Sequence, residues 1–118
     1  MAAANRIELS GRLLAKSSLR HTPSGVPVLE FSLGHQSDQE EAGASRQVGC
    51  EIACVALGTS AGLLAVARLG DCLTVKGFLA AKSLKSRTPV LHVKEIEFQE
   101  GNENGFQTQE QDGWQEEG

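Results

Sequence analysis

Val48-Gly-Cys-Glu-Ile-Ala-Cys-Val-Ala-Leu57, Gly58-Thr-Ser-Ala-Gly-Leu-Leu-Ala-Val-Ala-Arg-Leu-Gly70 and Asp71-Cys-Leu-Thr-Val-Lys-Gly-Phe-Leu-Ala80 follow one another without a gap. In the first stretch Cys50, Ile52 and Cys54 alternate with Glu51, Ala53 and Val55, the two-residue period of a strand. In the second, Leu63, Leu64, Val66, Ala67 and Leu69 fall at helical spacing between Thr59-Ser60 and Gly70. A hydroxyl at the start and a glycine at the end predict a helix of about ten residues, capped by Thr59 or Ser60 and stopped at Gly70. The third stretch returns to strand, with Leu73, Val75 and Leu79 on one side and Thr74, Lys76 and Phe78 on the other.

Upstream, Ile7, Leu9 and Leu13 alternate with Arg6, Glu8, Ser10 and Arg12, and Gly11 interrupts the apolar side where a bulge or bend is expected. Thr22-Pro23-Ser24-Gly25 is a turn by its chemistry. Val28 to His35 is the next strand, with Leu29, Phe31 and Leu33 facing one way. Gln36 to Arg46, rich in Gln, Glu, Ala, Gly and Ser, is expected to be a long loop. Downstream, a basic loop from Lys82 to Arg87 leads through Pro89, at a position where a missing donor does least harm, into a last strand from Val90 to Phe98. Three strands, a short helix and two more strands is the layout of an all-β, five-stranded oligonucleotide/oligosaccharide-binding (OB) fold, a Greek-key barrel with its helix between strands three and four.

The chain has 118 residues, enough for one domain and one modest core. We divide it into an OB domain over residues 1–98 and an acidic tail over 99–118, where burial of two isolated aromatics, Phe106 and Trp114, cannot offset the entropy of ordering the segment. The net charge of −4 is unevenly placed: the tail holds six acids and no Lys or Arg, while residues 1–98 hold eleven bases against nine acids. No apolar run is long enough to cross a bilayer and Met1 is not followed by a leader pattern, which predicts a soluble, unexported, cytoplasmic protein without membrane association. Three cysteines, none in a Cys-x2-Cys pair, argue against zinc, and Cys50 and Cys54 are expected to be small buried hydrophobes.

The OB fold takes its ligand on the face of strands two and three and on the loops after strands one and four. Six of the eleven bases fall there: Lys16 and Arg20 in the first loop, Arg46 at the entry to strand three, and Lys82, Lys85 and Arg87 in the fourth loop. Phosphates neutralised by such residues release condensed counterions, so binding falls with salt. Stacking residues are few: there is no Tyr, the single Trp is in the tail, and Phe31, Phe78 and Phe98 suit packing. Binding dominated by charge, with a steep salt slope, is the expectation. Catalysis has no constellation to support it: His21, His35 and His92 are scattered, Glu40-Glu41 suits a solvated loop, and no nucleophile elbow or phosphate-cradling glycine loop occurs, so the chain is predicted not to be an enzyme and to need no cofactor or metal.

The same residues resemble the bacterial single-stranded-DNA-binding protein family. The resemblance is carried by Asn5-Arg6 with Leu9-Ser10-Gly11, the turn Thr22 to Pro27, Phe31-Ser32-Leu33-Gly34-His35, Gln39-Glu40-Glu41-Ala42-Gly43, Arg46-Gln47, Cys50-Glu51, Leu73 to Leu79 and Val90-Leu91-His92, covering residues 5 to 98. It implies a homodimer of barrels that binds single-stranded DNA and acts in replication restart, together with the primosomal helicase and the main single-stranded-DNA-binding protein. By position it implies DNA contacts at Arg20, Arg46, Lys82, Lys85 and Arg87. Three departures, Ala44 and Gly49 where relatives carry aromatics and Gln36 where they often carry arginine, imply weaker DNA affinity. The acidic tail, ending Trp114-Gln-Glu-Glu-Gly118, lies outside the resemblance and suits a partner-binding, self-masking or solubilising segment. Two rival readings are a protein-interaction module with little DNA affinity and a general single-strand coating protein; negligible oligo-dT binding marks the first, tight and weakly salt-sensitive binding the second.

Overall fold

In the computed structural model, which describes residues 3–99, strands β1 (Ile7–Lys16), β2 (Arg20–His21), β3 (Pro27–Glu41), β4 (Ala44–Leu57), β5 (Cys72–Ala81) and β6 (Pro89–Phe98) and the helix α1 (Thr59–Ala65) follow in the order β1-β2-β3-β4-α1-β5-β6. Hydrogen-bonded neighbours run β1-β5-β6-β4-β3, and β1 also pairs with β3, so five strands close into a barrel. All pairings are antiparallel except β4 with β6, where Cys54, Val55 and Ala56 oppose Leu91, His92 and Val93. This is the OB fold that the order of strands and helix predicts. The two-residue β2, opposite Val28 and Pro27, is an addition to it, and the acidic tail with Phe106 and Trp114 lies outside the described residues.

The interior is filled by the alternating residues: Leu13, Leu29, Leu33, Leu73, Val75 and Leu91 are at most 1% exposed, and Phe31 joins them as expected of a core ring. Closure is demanding at β1. Residues up to Arg12 pair with β5, and from Arg12 onward the strand pairs with β3. At that crossing a Cβ on Gly11 would overlap the Gly34 carbonyl oxygen, so only glycine fits. The bulge anticipated at Gly11 sits a few residues later, between Leu13 and Ala15; at Gly11 itself the register with β5 is unbroken. A second bulge, at Lys76/Gly77, brings the backbone of β5 against β6, where a Cβ on Gly77 would overlap the His92 carbonyl oxygen.

Three expectations are corrected. Gln36 to Arg46 is not a loop. β3 and β4 pair residue by residue from Val28↔Leu57 to Glu41↔Ala44, and the reversal is made by Ala42 and Gly43, both at positive φ (52° and 79°), as a two-residue hairpin turn requires. Outside the barrel the ribbon buries little beyond the half-buried Ser37 and Val48, so its side chains are mostly polar on both faces and lack the alternation that marks a half-buried strand. The helix is seven residues long, and Gly58 rather than a hydroxyl occupies its cap, with no side-chain cap bond. Ser60 is instead buried and its hydroxyl donates to the Lys94 carbonyl at 3.2 Å, tying the helix to β6. Ala61 and Leu64 enter the core while Leu63, Val66 and Leu69 stay exposed; Gly70, at φ 93°, serves the turn into β5, donating to the Leu13 carbonyl. Finally, Cys54 is buried but Cys50 is exposed, because at Cys50 the β3–β4 ribbon has already left the core; Cys72 is half-buried.

The Gly11→Ala substitution should lower stability by about 1–3 kcal/mol or more, because the added methyl meets backbone that cannot turn aside; the urea midpoint reports it. Burial pushes the Cys54 thiol up from 9.0 to about 12. Above about pH 9 the unfolded chain ionises this thiol while the folded chain keeps it neutral. Its contribution to stability is therefore intact at neutral pH and is lost as pH rises from about 9 towards about 12. Urea midpoints of wild type and Cys54→Ala at about pH 8 and about pH 10 should converge as pH rises.

Candidate nucleic-acid interface

The outward face of β3 and β4 presents Glu30, Ser32, Gly34 and Gln36 opposite Val55, Ala53, Glu51 and Gly49. It is a surface of small and neutral groups with two carboxylates and no ring. Its cations arrive from the ends. Arg20, on β2, reaches back to Glu30 with 3.3 Å between guanidinium and carboxylate, and Arg46, in the ribbon, lies 2.9 Å from Glu41. All four side chains are more than half exposed, so these are pairs that water screens and a phosphate can displace.

Arg20 neighbours Val28 and Arg46 opposes Gln39, so the two stand at opposite ends of β3, eleven residues or roughly 36 Å of strand apart. The unbroken register also puts Arg46 on the side of the ribbon that continues Cys50, Ile52 and Cys54, and not on the side of Gly49 and Glu51. Lys82, Lys85 and Arg87 do come together. They share the connection between β5 and β6, which the Lys82 amide closes by donating to the Thr88 carbonyl and the Ser83 amide by donating to the Ser86 carbonyl. All three are exposed, and among the described residues none makes an ion pair.

Lys16 has a different task from the one its loop position suggests. It is the last residue of β1, half-buried, and its ammonium donates to the carbonyls of Leu64, Ala65 and Ala67 at 3.2, 2.9 and 2.5 Å. These carbonyls lie at the end of α1, where a cation is favoured by the helix dipole; that of Leu64 also accepts from the Ala67 amide, and Lys16 seals the helix and is withdrawn from the surface. Sequence reasoning also passed over His35. Its Nδ1 is 2.6 Å from the Ser10 carbonyl and its Nε2 2.8 Å from the Ser37 hydroxyl, which fixes the root of the ribbon against β1. The first bond needs a proton on Nδ1, because a carbonyl can only accept. A groove of about 710 Å³ opens beside this contact, lined by Gly11, Arg12, Leu14, His35, Gln36 and Cys50 among others.

Comparison with known proteins agrees with this fold. Residues 5–95 match a model described as another single-strand binding protein family. The chain is 45% identical over 91 residues to the replication restart protein PriB of Bordetella pertussis, covering 77% of this chain and 85% of that protein. The chain belongs to the PriB family of single-strand binding proteins. To the PriB of Neisseria gonorrhoeae it is 40% identical over 101 residues, covering 86% of this chain and all of that one. In three dimensions the PriB of Ralstonia solanacearum superposes with a TM-score of 0.74 at 32% identity, over 82% of this chain and all of that one. The single-stranded DNA binding protein from Thermus aquaticus superposes with a TM-score of 0.67 at 26% identity, over 83% of this chain and 51% of that one.

Gly49 stands at the ribbon end of the aromatic-free face, opposite Gln36, and a Cβ there would lie 3.3 Å from the His35 carbonyl oxygen, close enough to need only a small adjustment. Placing a ring at this position, Gly49→Trp, should raise oligo-dT affinity by about 1–3 kcal/mol, the worth of one stacked base. Fluorescence anisotropy at fixed salt measures it.

Proposed function

We propose that this protein binds single-stranded DNA as a non-enzymatic accessory of replication restart, with Lys82, Lys85 and Arg87 as its principal phosphate contacts and Arg20 and Arg46 as secondary ones. The observation that carries the reading is the cluster, in one short connection of an OB barrel, of three exposed cations that make no ion pair among the described residues. Arg20 and Arg46 must give up a carboxylate to take a phosphate, which makes each contribute less. With no ring on the β3–β4 face, charge supplies most of the affinity there, and binding falls steeply with salt. Partners that fit this role are the primosomal helicase and the main single-stranded-DNA-binding protein.

A homodimer is part of the same proposal. From Ile7 to Leu9 β1 has β5 as its single strand partner among the described residues, and its other edge, before the Ser10 carbonyl that His35 takes, is open to a second chain. Light scattering of the purified chain is expected to give twice the monomer mass.

Anisotropy of labelled oligo-dT over a salt series tests DNA binding. In the Lys82→Ala, Lys85→Ala, Arg87→Ala triple variant the slope of log affinity against log salt should fall by about 2, since each single-strand phosphate contact contributes about 0.7. The rival reading, an interaction module, draws on the ring-free β3–β4 face; it is favoured if wild type ignores oligo-dT in dilute buffer yet captures the helicase.

A further inference from the structure

Round the barrel from the ring-free face, the outward row continues from Val55 on β4 to His92 on β6 and Phe78 on β5. Leu91 and Val93, on either side of His92, are core residues, and Leu79 packs on the core while Phe78 does not belong to it, so the two rings are on the outside of the wall. They stack on one another with centroids 5.1 Å apart and planes 14° from parallel. Both residues are half-buried, and among the described residues the imidazole of His92 makes no hydrogen bond.

Cations flank the rings in both directions along the strands. Four residues beyond Phe78 begins the connection with Lys82, Lys85 and Arg87; two residues before it is Lys76, and two residues after His92 is Lys94. Lys76, Lys94 and Arg6 line one groove of about 440 Å³ with Ile7, Glu8, Gly77 and Glu95. Although Glu8 and Glu95 share that groove, none of its cations makes an ion pair among the described residues. The division of the surface is therefore sharp. Cations attached to the β3–β4 side, Arg20 and Arg46, are paired, whereas the β5–β6 side has a stacked pair of rings between two groups of cations that make no ion pair among the described residues.

We propose that the outer face of β5 and β6 is a second stretch of the single-strand path, with the Phe78–His92 stack as a base platform and Lys76, Lys94 and Arg6 as phosphate contacts. A strand leaving the basic connection and following β5 passes the rings before it reaches Lys76, about 20 Å from Lys82 at strand spacing. Backbone-tracking cations with a ring between them are the two ingredients of sequence-tolerant single-strand binding. This assignment rests on the single-strand-binding reading above and extends it to a face which that reading does not use.

A cross-strand aromatic pair also stabilises a sheet, so the test needs a readout that stability does not move. Full-length protein bound to oligo-dT is irradiated with short-wave ultraviolet light and the adducts are mapped by mass spectrometry; a thymine adduct on Phe78 or His92 is expected. Alongside, Lys76→Ala with Lys94→Ala should lower the salt slope by about 1.4, and Phe78→Leu should weaken oligo-dT binding by about 5- to 100-fold. Adducts found only elsewhere, with an unchanged slope in the double lysine variant, overturn the second path while leaving the basic connection in place if the Lys82, Lys85, Arg87 variant still loses its slope. If wild type binds no oligo-dT, both assignments fall together.

Discussion

The double pairing of β1 is the constraint on which the molecule depends. One strand must satisfy β5 with its first half and β3 with its second, and the change of partner happens within a residue of Gly11, where two backbones pass too closely for any side chain. Without that crossing the sheet stays open, Leu13 loses its place in the core, and Lys16 no longer reaches the end of α1. The helix in turn plugs the barrel with Ala61 and Leu64 and is held to β6 through Ser60. Closure thus fixes the parallel β4–β6 pair, and with it the position of the basic connection relative to the ribbon.

Electrostatics on this scaffold are decided by which cations are already occupied. Lys16 is bound to three carbonyls, and Arg20 and Arg46 each face a carboxylate. A count of basic residues in the loops treats these as equal to Lys82, Lys85 and Arg87, which among the described residues make no ion pair. The difference matters because exposed pairs contribute little to stability and yet subtract from the charge offered to a polyanion. Among the loop cations, those in no described ion pair or carbonyl bond accordingly sit in the β5–β6 connection, away from the strands that the fold usually uses.

Most of the barrel was legible in the sequence because its walls are half-buried: Leu29, Phe31 and Leu33, or Leu73 and Val75, alternate with polar neighbours, and the Pro23–Gly25 turn and Pro89 mark boundaries. The ribbon was not, since a strand that buries neither face has no period to detect; only the Ala42-Gly43 pair signals the reversal. The helix misled for a related reason. Leu63, Val66 and Leu69 look like a core stripe, but α1 ends at Ala65 and buries Ser60, Ala61 and Leu64 instead. Charge and sequence position single out Lys82, Lys85 and Arg87 for the proposed site, whereas the competitors for Arg20, Arg46 and Lys16 come from tertiary placement that no local pattern contains. Phe78 and His92 were individually visible as strand residues, and their stacking follows only from the β5–β6 register.

The ribbon also divides one strand between two regimes. From Val28 to Gly34, β3 is walled by β1 or packed over the core, while from Gln36 to Glu41 its sole partner is β4, and the transition is marked by His35 clasping Ser10 and Ser37. Two strands alone are marginally stable in water. Amides along this continuous strand therefore open on separate clocks, those beyond the imidazole exchanging with solvent through local fraying and those before it only when the whole barrel comes apart.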